Sequence, residues 1–260
     1  MNAQTTYLID PNSLDAFSKS AGEPEWMTVA RKQALALASS LNLPKLEKTR
    51  IDLWNWDRYG EFKAAASVAD LADLPAVARE LLGEGDPANL LVQRNSGAVL
   101  SRLSESLAEQ GVVFTDLQSA LRTHGDLIRR YFMKAVAADE HRLTALHAAL
   151  WNGGVFLYVP KNVRIEVPLQ AMFIRDDENA AFAPHVLIVA DAGSSVTYVE
   201  NYLSDMAAAR GEAVVSTVAE VFVHAGASVR FASVRNLDGR VVDVCYRRAV
   251  VENDGSIEWI

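Results

Sequence analysis

The chain has 260 residues, of which 50% are hydrophobic and 22% charged, an ordinary globular composition with room for one large domain or two small ones. A formal charge of −8 argues against a general nucleic-acid binder, because neutralising phosphates requires a basic surface and no dense Lys/Arg cluster occurs. The single cysteine, Cys245, rules out an intramolecular disulfide and a cysteine-built metal cage within one chain, which suits a reducing compartment.

The N-terminal stretch MNAQTTYLIDPNSLDAF has neither a basic leader region nor an apolar one, and no apolar run in the sequence is long enough to cross a bilayer. A cytoplasmic chain that spans no membrane is expected. Helical spacing begins near Pro24: Trp26, Val29, Ala30, Ala34, Leu37 and Leu41 recur at three and four residues, and Pro44 ends the run. The segment KLEKTRIDLWNWDRYGEF has no clean period, whereas LADLPAVARELLGEGDP reads as short helices closed by the Gly83 to Pro87 cluster. Next, LLVQRNSGAVLSRL carries hairpin turn chemistry at Asn95, Ser96 and Gly97, and GVVFTDL reads as another strand. Helical signals return over 116–150, with a stop at Gly125 and Asp139 as the cap of the last helix. Residues 1–125 are therefore expected to form a mainly helical domain, and 126–150 a helical cap.

After Trp151 the period changes. Short runs rich in Val, Ile, Phe, Tyr and Thr recur, and three pieces resemble one another: VLIVADAGSSVTYVEN, EVFVHAGASVRFASV and AVVENDGSIEWI. Each has a β run, a small polar turn holding Gly193, Gly226 or Gly255, and a second run opening with Val196, Val229 or Ile257. VFLYVPKNVRIEV has the same shape without the glycine. The glycines lie 33 and 29 residues apart, within the range of repeats that stack as solenoids or propeller blades, and in a β-solenoid no coil can bury its apolar face alone. Glycine at a corner permits φ > 0. The expected class is α+β: a helical N-terminal part, then a β-solenoid over 151–260. The closing SIEWI is a strand pattern with no cap, so the solenoid is expected to be incomplete at its C-terminal end.

Chemistry is sparse. No phosphate-binding glycine loop, nucleophile elbow or H-E-x-x-H motif occurs, and WNGGVF reads as a turn. Of the five histidines, His124 among them, His141 and His147 stand six apart, on different helix faces, and read as solvated, while His185 and His224 read as turn residues. Asp176 and Asp177 read as solvated loop charges. Cys245, within RVVDVCYRRAVV, reads as a buried, inert thiol; its alternative is an interface thiol that binds iron or sulfur together with a partner's residues. That makes it the metal-ligand candidate. Of its neighbours Arg247 and Arg248, one is expected to point outward and one to lie along an edge. No residue is assigned a catalytic or cofactor-binding role, and the chain is not expected to be an enzyme.

The segments AALWNGGVFLYVPKNVRIEVPLQ, HVLIVADAGSSVTYVENYLSD, EVFVHAGASVRFASVRNL and RRAVVENDGSIEWI resemble the SufB/SufD family of iron–sulfur cluster assembly scaffold proteins over residues 148–260. The resemblance is nearer to SufD. SufB-like sequences carry a cysteine where Val251 stands here and another shortly after the position of Glu200 and Asn201, and both are absent. The helices from Asp126 to Leu150 fit what precedes the β domain in SufD, while LPKLEKTRIDLWNW matches more loosely. The resemblance implies a right-handed parallel β-helix and a non-catalytic scaffold that pairs with SufB or a second SufD and aids iron delivery. It also implies docking of the SufC ATPase on a C-terminal helical domain not found in this sequence. No cofactor is expected to be held stably by this chain alone; iron or an iron–sulfur cluster belongs to the complete complex. A rival class is a β-helix enzyme acting on polysaccharide or acyl substrates. It needs paired carboxylates or a histidine base on adjacent coils, and the spacing supplies no same-face cluster.

Overall fold

The structure, a computed structural model, describes residues 11–63, 66–205 and 212–260, so most of the N-terminal stretch read for a leader lies outside the described residues. The first part runs α1 (Pro11–Ser20), α2 (Glu25–Ser40), α3 (Ala76–Leu82), β1 (Leu90–Arg94), β2 (Gly97–Arg102), α4 (Glu105–Glu109), β3 (Val113–Asp116), α5 (Leu117–Thr123), α6 (Gly125–Tyr131) and α7 (Arg142–Leu150). Strands alone follow among the described residues: β4 (Gly154–Val159), β5 (Leu169–Arg175), β6 (His185–Ala190), β7 (Ser195–Ser204), β8 (Glu212–Val223), β9 (Ser228–Asn236), β10 (Arg240–Val251) and β11 (Ser256–Trp259).

The alternation of strands between two sheets is the expected solenoid. β4, β6, β8 and β10 stack in parallel in one sheet and β5, β7, β9 and β11 in the other, making about three turns. Inward rows such as Leu157, Ile188 and Val221, facing Leu169, Tyr198 and Phe231, form one continuous apolar core. The predicted hairpin forms as β1 and β2, and β1 then pairs in parallel with β5, while β3 pairs antiparallel with β4. Three strands that precede residue 125 thus extend both sheets and cover what would be open edges.

The corners stack as regularly as the strands. Asn162, Gly193, Gly226 and Asp254 have φ of 64°, 71°, 69° and 57°, each at the third position of its corner. Backbone bonds climb from coil to coil, with Asp191 N donating to Val159 O, His224 N to Ala190 O and Glu252 N to Val223 O, each at 2.9 Å. At the fourth corner the left-handed residue is Asp254, not the expected Gly255, because a short polar side chain tolerates that conformation. WNGGVF proves to be a seam. Gly154 has φ 98°, and a Cβ there would stand 1.9 Å from His185 O. Its N–H donates to Gln93 Oε1 at 2.7 Å, locking the hairpin onto the first coil.

Helices α2 and α7 pack together over the outer face of the β8 and β10 side, while α5 and α6 cover Phe156, Leu187 and Phe222. Arg31 of α2 is fully buried, paired with Glu23, and donates Nη1 to Ala149 O and to Trp151 O at 2.9 Å each. Its guanidinium lies 4.3 Å from the Trp151 ring centroid. The cap of α7 is His141 rather than the expected Asp139: His141 Nδ1 accepts from Thr144 N, and Thr144 Oγ1 accepts from His141 N.

Candidate functional site

The inward rows change character along the solenoid. Register stacks Ala171, Glu200 and Ser233 in one ladder and Phe173, Tyr202 and Arg235 in the next. Across the core, the inward row of β8 reads Val215, Thr217 and Ala219, and stacked on it in β10 stand Asp243, Cys245 and Arg247. An apolar interior in the early coils therefore becomes polar and charged in the later ones.

Glu200 is the buried acid of this cluster, 1% exposed. Its carboxylate accepts from Ser233 Oγ at 2.8 Å and from Tyr198 Oη at 3.2 Å. Burial pushes its pKa up to about 7, against the opposing pull of the Ser233 hydroxyl, Arg235 and Arg247. Arg235 lies 4.0 Å from the centroid of the Tyr202 ring, which stacks on Phe173 at 4.8 Å. Both Nε and Nη2 of Arg235 donate to Asp243, and its Nη1 is buried without a partner. Cys245 Sγ stands 3.5 Å from Arg247 Nε. The arrangement offers a buried carboxyl whose pKa is raised to about 7, with Arg235 and Arg247 acting on its charge.

Cys245 is exposed, contrary to the expected buried thiol. Its row points inward, but β10 is the edge strand of its sheet, and no strand among the described residues stacks on it. Arg247 shares that inward row, whereas Arg248 takes the outer face and binds Glu140. Among the described residues, no three His, Cys, Asp or Glu side chains come together to hold a metal ion. A metal at Cys245 thus needs ligands from elsewhere.

A second polar cluster lies outside the solenoid wall, under the helices. Ser216, His147, His185 and Glu220 form a chain with contacts of 3.1 Å at each step, all of them buried. Glu220 Oε1 also accepts from Ala135 N at 2.7 Å and Val136 N at 2.9 Å, and Oε2 from Met133 N at 2.6 Å. His147 and His185 are therefore not the solvated and turn residues expected; His147 sits on a helix buried on every side from Leu143 to Leu150. His224 does lie at a corner, between Tyr131 Oη and Glu252 Oε1 at 2.9 Å each, and His124 is partly buried beside the Phe156 ring. Asp176 and Asp177 are not free loop charges either: they pair with Arg94 and Lys63.

Sequence reasoning missed Glu200 and Arg235, although the alternation of SVTYVENYLS places Glu200 in the same row as Val196, Tyr198 and Tyr202. No local signal joins His147 to His185.

No helix among the described residues is long and apolar enough to cross a membrane. A family model described as SufBD protein N-terminal region matches residues 89–171. Another, described as SUF system FeS cluster assembly, SufBD core domain, matches residues 173–260. The iron-sulfur cluster assembly protein SufD of Bacillus subtilis is 41% identical over 263 residues, covering 100% of this chain and 60% of its own length. Iron-sulfur cluster assembly SufBD family proteins of Staphylococcus epidermidis and Staphylococcus aureus are 32% and 30% identical, each covering 96% of this chain and 55% of its own length. The chain thus spans somewhat more than half the length of these curated relatives. With the two models following one another through the hairpin, the seam and every coil, the chain belongs to the SufBD family.

Proposed function

We propose that the chain takes part in iron–sulfur cluster assembly by the SUF system as a SufD-type scaffold subunit, contributing association surface and a shaped interior rather than turnover. The observation that carries this reading is the 41% identity running along the whole chain to a protein named for that assembly. In this reading SufB, or a second SufD, pairs through the β-solenoid, and the SufC ATPase completes the complex. Iron or a nascent cluster is the cargo of the assembled complex. Cys245 supplies one thiolate toward it and the partner the remaining ligands, since a lone side chain cannot fill a coordination shell.

The test is co-expression of the full-length gene product with SufB and SufC, followed by affinity capture and anaerobic addition of iron and sulfide. Recovery of a stable complex whose visible spectrum develops cluster absorption supports the reading. A full-length protein that associates with neither SufB nor SufC overturns it.

A further inference from the structure

Helix α2 has two apolar faces, and the helices cover one of them. Met27, Arg31, Ala34, Leu35 and Ala38 are buried against the rest of the fold. Trp26, Ala30, Gln33 and Leu37 fall at i, i+4, i+7 and i+11 and form one wall of an open groove of about 670 Å³, flanked by Val29 at 44% exposure. Phe132 and Met133 form the facing wall.

This wall is held in place. Glu220 grips the amides of Met133, Ala135 and Val136, and Met133 is kept at φ 55°. A groove fixed in this way spares a ligand the cost of ordering it. Its rim is cationic. Arg129, with its guanidinium 5.7 Å from the centroid of the Trp26 ring, and the exposed Lys134 line it, and Glu25 is the one acid among the described lining residues. In a chain of net charge −8 this is a local reversal of sign.

We propose that this groove docks an amphipathic helix of another protein, apolar along one face and acidic along the flank that meets Arg129 and Lys134. The stripe from Trp26 to Leu37 is about 16 Å long, the length of three helical turns, and its spacing is the one an a/d face reads. This surface lies on the helical layer, apart from the solenoid interior, and the proposal stands independently of the role in cluster assembly.

The experiment titrates the full chain into a fluorescently labelled synthetic helix with leucines on one face and glutamates along one flank. A second helix carries lysines in place of the glutamates. Saturable binding of the acidic helix only is expected, weakened about tenfold by Val29→Asp. The pair Arg129→Glu with Lys134→Glu should weaken it and remove most of its salt dependence. Val29 is half-exposed and Lys134 exposed, so thermal melts of the variants should match the parent. Equal binding of both helices, no binding, or indifference to Val29→Asp overturns the proposal. So does a concentration-dependent dimer that Val29→Asp dissolves, since the occupant is then a second copy.

Discussion

His147 Nε2 and His185 Nδ1 stand 3.1 Å apart where α7 crosses the start of β6, with neither ring in contact with solvent. Burial first, and then the neighbouring His185 and Arg31 charges, hold His147 well below the ordinary imidazole range. Its folded pKa lies under its unfolded one, so the stability it contributes is complete above the reference value of 6.5 and is lost as pH falls, when the unfolded imidazole takes up its proton first. His147→Gln cannot titrate. It should lower stability at neutral pH by about 1–3 kcal/mol through its imperfect hydrogen bonds and remove the share of the acid-side loss that His147 contributes. Urea midpoints measured from neutrality down to mild acid check this; an acid slope equal to that of the parent protein would assign the limb to another group.

Glu220 anchors the other end of the same chain, accepting one imidazole and three backbone N–H groups. Glu220→Ala strands all four donors in a buried place, and a loss of about 3–5 kcal/mol is expected. Glu220→Gln keeps the shape but turns one acceptor into a donor, so its loss should be smaller. Amide exchange separates local from global effects. In Glu220→Gln, the Met133, Ala135 and Val136 amides should exchange ahead of those in β6 and β8, and uniform acceleration across all of them would count against a local clamp.

The strand rows are legible in the sequence because the side-chain period of a strand is two and the repeat aligns one coil with the next. The corners are legible through Gly193 and Gly226 and fail at the last, where residue type draws the alignment to Gly255 while geometry selects Asp254. Inward does not mean buried for Cys245, because burial of a row depends on a strand stacked over it, and among the described strands β10 pairs with β8 alone. The histidines fail for a different reason. Spacing on a helix predicts which residues share a face, yet α7 lies between α2 and the β8 sheet and has no solvated face. The contact between His147 and His185 is tertiary in origin, and only the stacked fold brings it about.

Gly154 tests the seam. A methyl group there would meet His185 O at 1.9 Å and His185 N at 2.5 Å, backbone atoms held by the neighbouring strand, and φ of 98° is foreign to alanine. Gly154→Ala should therefore cost more than about 3 kcal/mol, beyond the range of ordinary substitutions. Gly125→Ala serves as the control, since nothing lies within 4 Å of its added Cβ. Thermal melts of the two variants should differ widely, and near-equal midpoints would show that the seam yields.

Cys245 separates exposure from burial directly. Its thiol is exposed at the edge strand, so a disulfide reagent should titrate one thiol per folded chain without denaturant. Cys245→Ser should change stability by no more than about 0.5 kcal/mol, as is usual for surface substitutions. A thiol that reacts only after unfolding would place the side chain inside and withdraw it from any shared ligand set.

Glu200 acts on stability in the opposite sense to His147. Burial raises its folded pKa to about 7 from the reference 4.5, so its contribution is fully present below the lower value and is lost as pH rises through the upper one. The shift corresponds to roughly 3 kcal/mol, an upper size for the effect because Arg235 and Arg247 adjust around the charge. Glu200→Gln can still accept from Tyr198 and Ser233 through its amide oxygen and never ionises. Relative to the parent it should gain stability steadily between about pH 5 and about pH 8. The two buried groups oppose each other in overlapping windows, so the parent protein's own profile carries only their difference. Denaturant midpoints of Glu200→Gln and His147→Gln, taken side by side across that range, should tilt in opposite directions. A pH-independent difference between Glu200→Gln and the parent would mean that Glu200 does not change its charge in the folded interior.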